Sequence, residues 1–81
     1  MTLTEHIAHQ ATIVANLTAC LELARAYRDT VADEGTTAFE EYARATQQVR
    51  LIRNDLACAS TWLETLNQWS AHDALVSAHD K

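Results

Sequence analysis

This chain of 81 residues contains one glycine, Gly35, and no proline, so it has two long stretches without a strong helix breaker. A chain with so few turn-forming residues cannot reverse direction often, which disfavours a β fold and favours a few long helices. Gly35 can take the left-handed conformation that ends a helix, and Thr37 and Glu40 have the spacing of a capping box that begins the next one. The sequence therefore predicts two helices joined by a short turn, which makes them antiparallel neighbours.

The second helix is predicted over residues 37–69, where apolar side chains recur every seven residues in two rows. The rows are Tyr42, Val49, Leu56 and Leu63, and Ala45, Ile52, Ala59 and Leu66. A weaker capping box at Thr61 offers an earlier break, but the rows continue through it in phase, so we expect one helix. Ser70 is a further candidate cap, and residues 70–81 are expected to form a short third helix or a frayed extension.

The first helix is predicted over residues 3–33, beginning with a capping box in which Thr2 accepts from a backbone N–H and Glu5 reaches back. Its apolar row includes two polar members, Gln10 and Arg28. If the chain reverses at Gly35, the numbers of facing residues add up to about seventy, and the two patterns match in phase. The predicted facing pairs are Ile7 with Leu63, Val14 with Leu56, Leu21 with Val49, and Arg28 with Tyr42.

Each helix carries a second apolar stripe that a two-helix hairpin cannot bury, a pattern that usually marks association. The stripes are Ile13, Cys20, Leu23 and Tyr27 on the first helix, and Leu51, Cys58, Trp62 and Trp69 on the second. We predict an interface made of Tyr27, Leu23, Leu51, Cys58, Trp62 and Trp69. A second hairpin would cover it in a four-helix homodimer; the alternatives are the tail, with Leu75 and Val76 over the tryptophans, or a foreign protein.

The charge is −5, from eleven acids against six bases, so direct contact with nucleic acid or an anionic membrane is not expected. Acidic residues are concentrated around the turn, which is either simply solvated or docks into a basic groove of a partner. The candidate docking residues are Asp33, Glu34, Glu40 and Glu41. Arg50 and Arg53 lack helix-surface ion-pair partners and are the candidate anion contacts.

No motif predicts catalysis, a metal or a cofactor. His6 and His9 lie one turn apart without the H-E-x-x-H spacing of a zinc site. Cys20 and Cys58 have no C-x-x-C neighbour, and we expect small buried hydrophobes with reduced thiols in a cytoplasm. There is no nucleophile elbow or glycine-rich phosphate loop, and no apolar run long enough to span a membrane.

The sequence thus predicts an all-α chain forming one helical domain over residues 1–81. In size, acidity and lack of catalytic residues it resembles the small all-helical proteins that phages and mobile elements use to inhibit host complexes, a resemblance of composition that carries over no residue. It implies a non-enzymatic, cytoplasmic inhibitor or regulator that occupies a surface on a larger protein or nucleoprotein complex. The alternatives are an RNA- or DNA-associated hairpin regulator and a structural or assembly subunit that only self-associates.

Overall fold

The structure, a computed structural model, describes residues 1–33 and 39–79, with the backbone alone for residues 78 and 79. Two α-helices account for nearly all of the described chain: α1 is Leu3–Asp33 and α2 is Phe39–His79. The bounds of α1 are those that the sequence predicts. The predicted turn at Gly35 and the predicted helix start at Thr37 lie outside the described residues.

The C-terminal end of α2 differs from the prediction. The helix continues to His79, so an end near Trp69 and a separate short helix after Ser70 are wrong, and the alternative of an extension of α2 is the one observed. Continuity through Thr61 is confirmed. Ser70 has the residue type of a cap, but extending an existing helix adds a hydrogen bond for each residue ordered, while starting a new one requires a costly nucleus. The alanines and leucine that follow are strong helix formers, which favours extension.

The first turn of α1 is closed by the predicted capping box. The backbone N–H of Glu5 donates to Thr2 Oγ1 at 3.1 Å, and the N–H of His6 donates to the Thr2 carbonyl at 2.9 Å. The Glu5 carboxylate accepts from the Thr2 hydroxyl at 3.3 Å, so it returns to the side chain of the capping residue. Both residues of the predicted box therefore take part in the cap.

The two helices run antiparallel in the predicted register. Gln10 Nε2 donates to the carbonyl of Ala59 at 3.0 Å across the seam, and the Tyr27 hydroxyl donates to a carboxylate oxygen of Glu41. Both pairs of residue numbers add up to about seventy, as a short turn between antiparallel helices requires. The buried apolar residues of this seam are Leu21, Val31, Ala45, Val49 and Leu66.

Arg28 and Tyr42, a predicted facing pair near the turn, depart from the rest of the seam, and Tyr42 is 39% exposed. Arg28 has a charged partner on its own helix. Its guanidinium forms an ion pair with Asp29 at 3.3 Å, and its side chain is 30% exposed. The adjacent carboxylate is reached without ordering a distant side chain, which makes the neighbour a better partner than the Tyr42 ring predicted to face it.

The molecule is a rod of 69 × 17 × 14 Å with a radius of gyration of 18.9 Å, against about 12 Å for a compact domain of this length. α2 has 41 residues and α1 has 31. Because Leu3 lies at the level of Leu66 in the observed register, residues 67–79 of α2 extend beyond the start of α1. We call this segment the overhang.

Candidate interaction face

One edge of α2 carries large apolar side chains over most of its length. Trp62, Trp69 and Val76 recur every seven residues, beside a second row that contains Leu51 and Cys58. The indole-bearing residues are 45% and 52% exposed, and Val76 is 44% exposed. Val76 belongs to this edge because α2 continues beyond Trp69, and the same continuity excludes the tail folding back over the tryptophans.

The apolar stripe of α1 lies on the same side of the rod. Tyr27 is in the seven-residue row of Ile13 and Cys20, and Glu41 is in the row of Trp62. The hydrogen bond from Tyr27 to Glu41 joins these two rows, so both face one side of the hairpin. The apolar residues of these two rows and of the rows next to them form one surface, which we call the apolar flank. It consists of Ile13, Cys20, Leu23 and Tyr27 of α1, and Leu51, Cys58, Trp62, Trp69 and Val76 of α2. All except the half-buried Ile13 are exposed.

The two tryptophans form one aromatic ridge. Their ring centroids are 5.4 Å apart and the planes meet at 88°, an edge-to-face contact. Side chains on a helix lean towards its N-terminus, which brings the ring of Trp69 back over the turn below it and towards Trp62. Edge-to-face pairs are favourable beyond the area they bury, so each ring restrains the other. The ridge is therefore preorganised while remaining exposed.

A groove of ≈ 550 Å³ opens on the same face, towards the turn end of the rod; its lining includes Ala24, Tyr27, Glu41, Ala45 and Gln48. Ala24 and Ala45 face each other across the seam, and two small side chains at one level leave space that larger ones would fill. A shallower depression of ≈ 430 Å³ lies along α2 beside Trp62; it is lined by Ala57, Cys58, Thr61, Trp62 and Thr65. The flank thus has a ridge at one end and a groove at the other.

Both cysteines are exposed, free thiols, so the prediction that they are buried is wrong for the single chain. The reason is their place on the helices: Cys20 shares a row with Tyr27, and Cys58 shares one with Leu51, whereas the seam rows pass beside them. Their membership of the second apolar stripe predicts their exposure correctly, whereas the usual burial of cysteine does not.

The described acids of the turn end are exposed but largely engaged. Glu40 pairs with Arg44 at 3.8 Å, Glu41 accepts the hydrogen bond from Tyr27, and Asp29 is held by Arg28. Asp33 is exposed. Glu34, the remaining predicted docking residue, lies outside the described residues.

Arg50 and Arg53 are exposed and form no ion pair within the described part of the chain. They lie on the side of α2 roughly opposite Trp62. Arg53 is nine residues before Trp62 and Arg50 is twelve before it, which corresponds to about 180° and about 120° around the helix. The rod therefore has an apolar side and a side that presents two arginines.

The sequence did not single out the groove or Val76 as parts of this face. The signals were present: Val76 is seven residues beyond Trp69, and Ala24 and Ala45 form a facing pair in the predicted register. The groove was missed because periodicity marks the side chains that fill space, while a groove arises where side chains are small.

Within residues 1–33 and 39–79, no group of three or more histidine, cysteine, aspartate or glutamate side chains is placed to hold a metal ion. Neither helix, over its described residues, has a stretch long and apolar enough to cross a membrane. No protein-family model, curated protein or solved structure matches this chain.

Proposed function

We propose that this protein is a non-enzymatic protein–protein interaction module, a small regulator or inhibitor that acts by occupying a surface on a larger protein. The observation that carries this proposal is the apolar flank, with Trp62 and Trp69 about half exposed. Tryptophan and tyrosine are the residues that most often dominate binding energy at protein interfaces. An ordered aromatic ridge in water suits association because little side-chain freedom is left to lose on binding.

The accessible surface supports an interface of ordinary size. The chain exposes 6089 Å², whereas a compact monomer of 9.0 kDa exposes about 4,900 Å². The excess is about 1,200 Å², and stable complexes bury about 800 Å² or more on each partner. One partner laid along the flank would bring the exposed surface close to that of a compact protein.

The first partner in this proposal is a second copy of the chain, which makes a homodimer of two hairpins and a four-helix bundle. The tip of the hairpin then remains available to a larger protein, and among the described residues Asp33 and Glu40 complement a basic groove there, whereas Glu41 also lines the groove on the flank. Exposed, unbridged thiols at Cys20 and Cys58 suit a reducing cytoplasm.

Affinity purification with quantitative mass spectrometry tests the regulator proposal. The bait is compared with two double variants, Trp62→Ala with Trp69→Ala and Glu40→Lys with Glu41→Lys. A third, Gln47→Ala with Asn54→Ala, changes exposed polar residues away from both surfaces and serves as the control.

We expect one larger protein to be captured by the wild type and the control and lost with at least one of the two test variants, with helix content by circular dichroism unchanged. If the captured proteins are the same for all four baits, neither surface recognises a partner and the proposal is wrong.

A second candidate is an RNA- or DNA-associated regulator, favoured by the exposed Arg50 and Arg53 on the side away from the flank. The charge of −5 opposes it. Binding to mixed RNA and DNA oligonucleotides at low salt, lost in an Arg50→Ala, Arg53→Ala double variant, would support this candidate. No binding at low salt would exclude it.

A further inference from the structure

We infer that the second copy lies antiparallel on the apolar flank, so that Trp69 of each chain enters the groove beside Ala24 and Ala45 of the other. The inference rests on the proposed self-association and adds its geometry.

The ridge and the groove lie at similar distances from the middle of the rod. The middle residue of α2, Phe39–His79, is Ala59. Trp69 lies about 15 Å from this level towards the overhang, and the groove residues Ala45 and Gln48 lie about 16–21 Å from it towards the turn end. A two-fold axis perpendicular to the rod near Ala59 therefore exchanges ridge and groove, to within about one helical turn.

The two features also share one face, which the symmetry requires. Glu41 and Gln48 of the groove are in the same seven-residue row as Trp62 and Trp69, and Tyr27 joins that row by its hydrogen bond. The two-fold axis lays α2 of one copy over α2 of the other, so Trp69 comes down on the α2 side of the groove. The contact is self-complementary and occurs twice in each dimer.

A parallel dimer would leave the strongest features uncovered. In that arrangement α2 of each copy lies over α1 of the other, and α1 begins at Leu3, short of the overhang. Trp69 and Val76 would remain in water, and the acidic turn ends would meet at one end of the bundle. The antiparallel arrangement covers the overhang and holds the two turn ends at opposite ends of the bundle, which lowers their mutual repulsion.

Two exposed acids, Glu41 and Asp55, are in the row of Trp62. Glu41 already accepts a hydrogen bond from Tyr27, so Asp55 is the one for which the dimer has to provide a donor. In the antiparallel register it lies at the level of Trp62 of the second copy, whose indole N–H can donate to a carboxylate. The inferred register therefore provides a hydrogen-bond donor at the level of Asp55.

The two natural cysteines provide a matched test. Cys58 lies one residue from the middle of α2, so the two Cys58 side chains of an antiparallel dimer face each other near the axis. Cys20 lies at the level of Val49, which sets the two Cys20 thiols about 30 Å apart along the rod. In the parallel arrangement the Cys58 pair lies at opposite edges of the bundle.

The experiment treats the Cys20→Ser and Cys58→Ser variants of the full chain with a short bismaleimide, after sedimentation has measured their association. We expect most of the Cys20→Ser protein, which keeps Cys58, to become a covalent dimer. Less than about a tenth of the Cys58→Ser protein should do so, because a short linker cannot span the distance between the two Cys20 thiols. A denatured sample of each variant gives the background.

A second pair of variants tests the interlocking contact. Trp69→Ala should weaken dimerisation at least about tenfold, as loss of a buried aromatic anchor does. Leu75→Ala removes another exposed apolar group of the overhang, on a side away from the flank, and should change dimerisation less than about threefold.

The outcomes distinguish a failure of the antiparallel register from a failure of self-association. Dimers in sedimentation that fail to cross-link through Cys58, or that cross-link equally through Cys20, contradict the antiparallel register while self-association stands. Chains that stay monomeric in sedimentation and do not cross-link contradict self-association itself. Equal weakening by Trp69→Ala and Leu75→Ala contradicts the contact between ridge and groove.

Discussion

The seam between the helices and the apolar flank beside it distribute side-chain size in opposite ways. Among the buried residues of the seam are Val31, Ala45 and Val49, whereas Trp62 and Trp69 stand on the exposed flank. Hydrophobic stabilisation grows with the apolar area removed from water, so the exposed halves of the two indoles are a contribution that the single chain does not use. In the proposed dimer, the seam would set the register of the hairpin and the flank would supply the free energy of association.

The largest expected effect compares two leucines two residues apart. Leu21 is 6% exposed in the seam and Leu23 is 72% exposed on the flank. Leu21→Ala should lower the free energy of unfolding by about 2–5 kcal/mol at every protein concentration, because it leaves a cavity. Leu23→Ala should change it by less than about 0.5 kcal/mol, because this side chain is exposed and the antiparallel dimer places no α1 opposite it. Urea unfolding followed by circular dichroism at two concentrations measures both, and equal losses would remove the distinction between seam and flank.

A smaller effect is expected at Gln10, the buried polar residue of the seam. Gln10→Ala removes the hydrogen bond to the Ala59 carbonyl and should cost about 1 kcal/mol. Gln10→Leu keeps the volume and should restore stability, because the Ala59 carbonyl can still accept its own helical hydrogen bond. Thermal unfolding of the two variants checks this; if Gln10→Leu is as unstable as Gln10→Ala, the hydrogen bond is needed for stability as well as register.

The smallest effect is expected at the edge of the groove, where Arg44 pairs with Glu40 at 3.8 Å and both side chains are highly exposed. Arg44→Ala should change the free energy of unfolding by less than about 0.5 kcal/mol, because water and salt screen such pairs. Unfolding at low and high salt measures it. A loss that persists at high salt would mean that the Arg44 side chain contributes by packing over the groove.

Periodicity predicted the parts of the fold that depend on repeated contacts. Two rows in phase around one glycine were enough to predict the level at which Gln10 meets Ala59, while the start of α1 was predicted from the capping box at Thr2. Local signals had mixed success: the capping box at Thr2 formed, whereas the candidate cap at Ser70 was overridden by helix propagation. Residue type misjudged the cysteines, whose exposure follows from their rows.

The sequence predicted the large apolar side chains of the candidate site but not its groove, because periodicity reports side chains that repeat along a helix. The second apolar stripe located Trp62, Trp69 and Tyr27 on an exposed edge. That the stripes of the two helices share one side required the hydrogen bond from Tyr27 to Glu41. The groove beside Ala24 and Ala45 depends on the absence of side-chain volume, which no repeating pattern of apolar residues reports.

Sedimentation equilibrium of the wild-type chain over a wide concentration range, with tryptophan emission recorded on the same samples, tests most directly whether a second copy covers the flank. We expect a mass of twice 9.0 kDa at high concentration, falling towards that of one chain on dilution as the indole emission shifts to the red. A single-chain mass at every concentration, with emission typical of exposed indoles throughout, would contradict it.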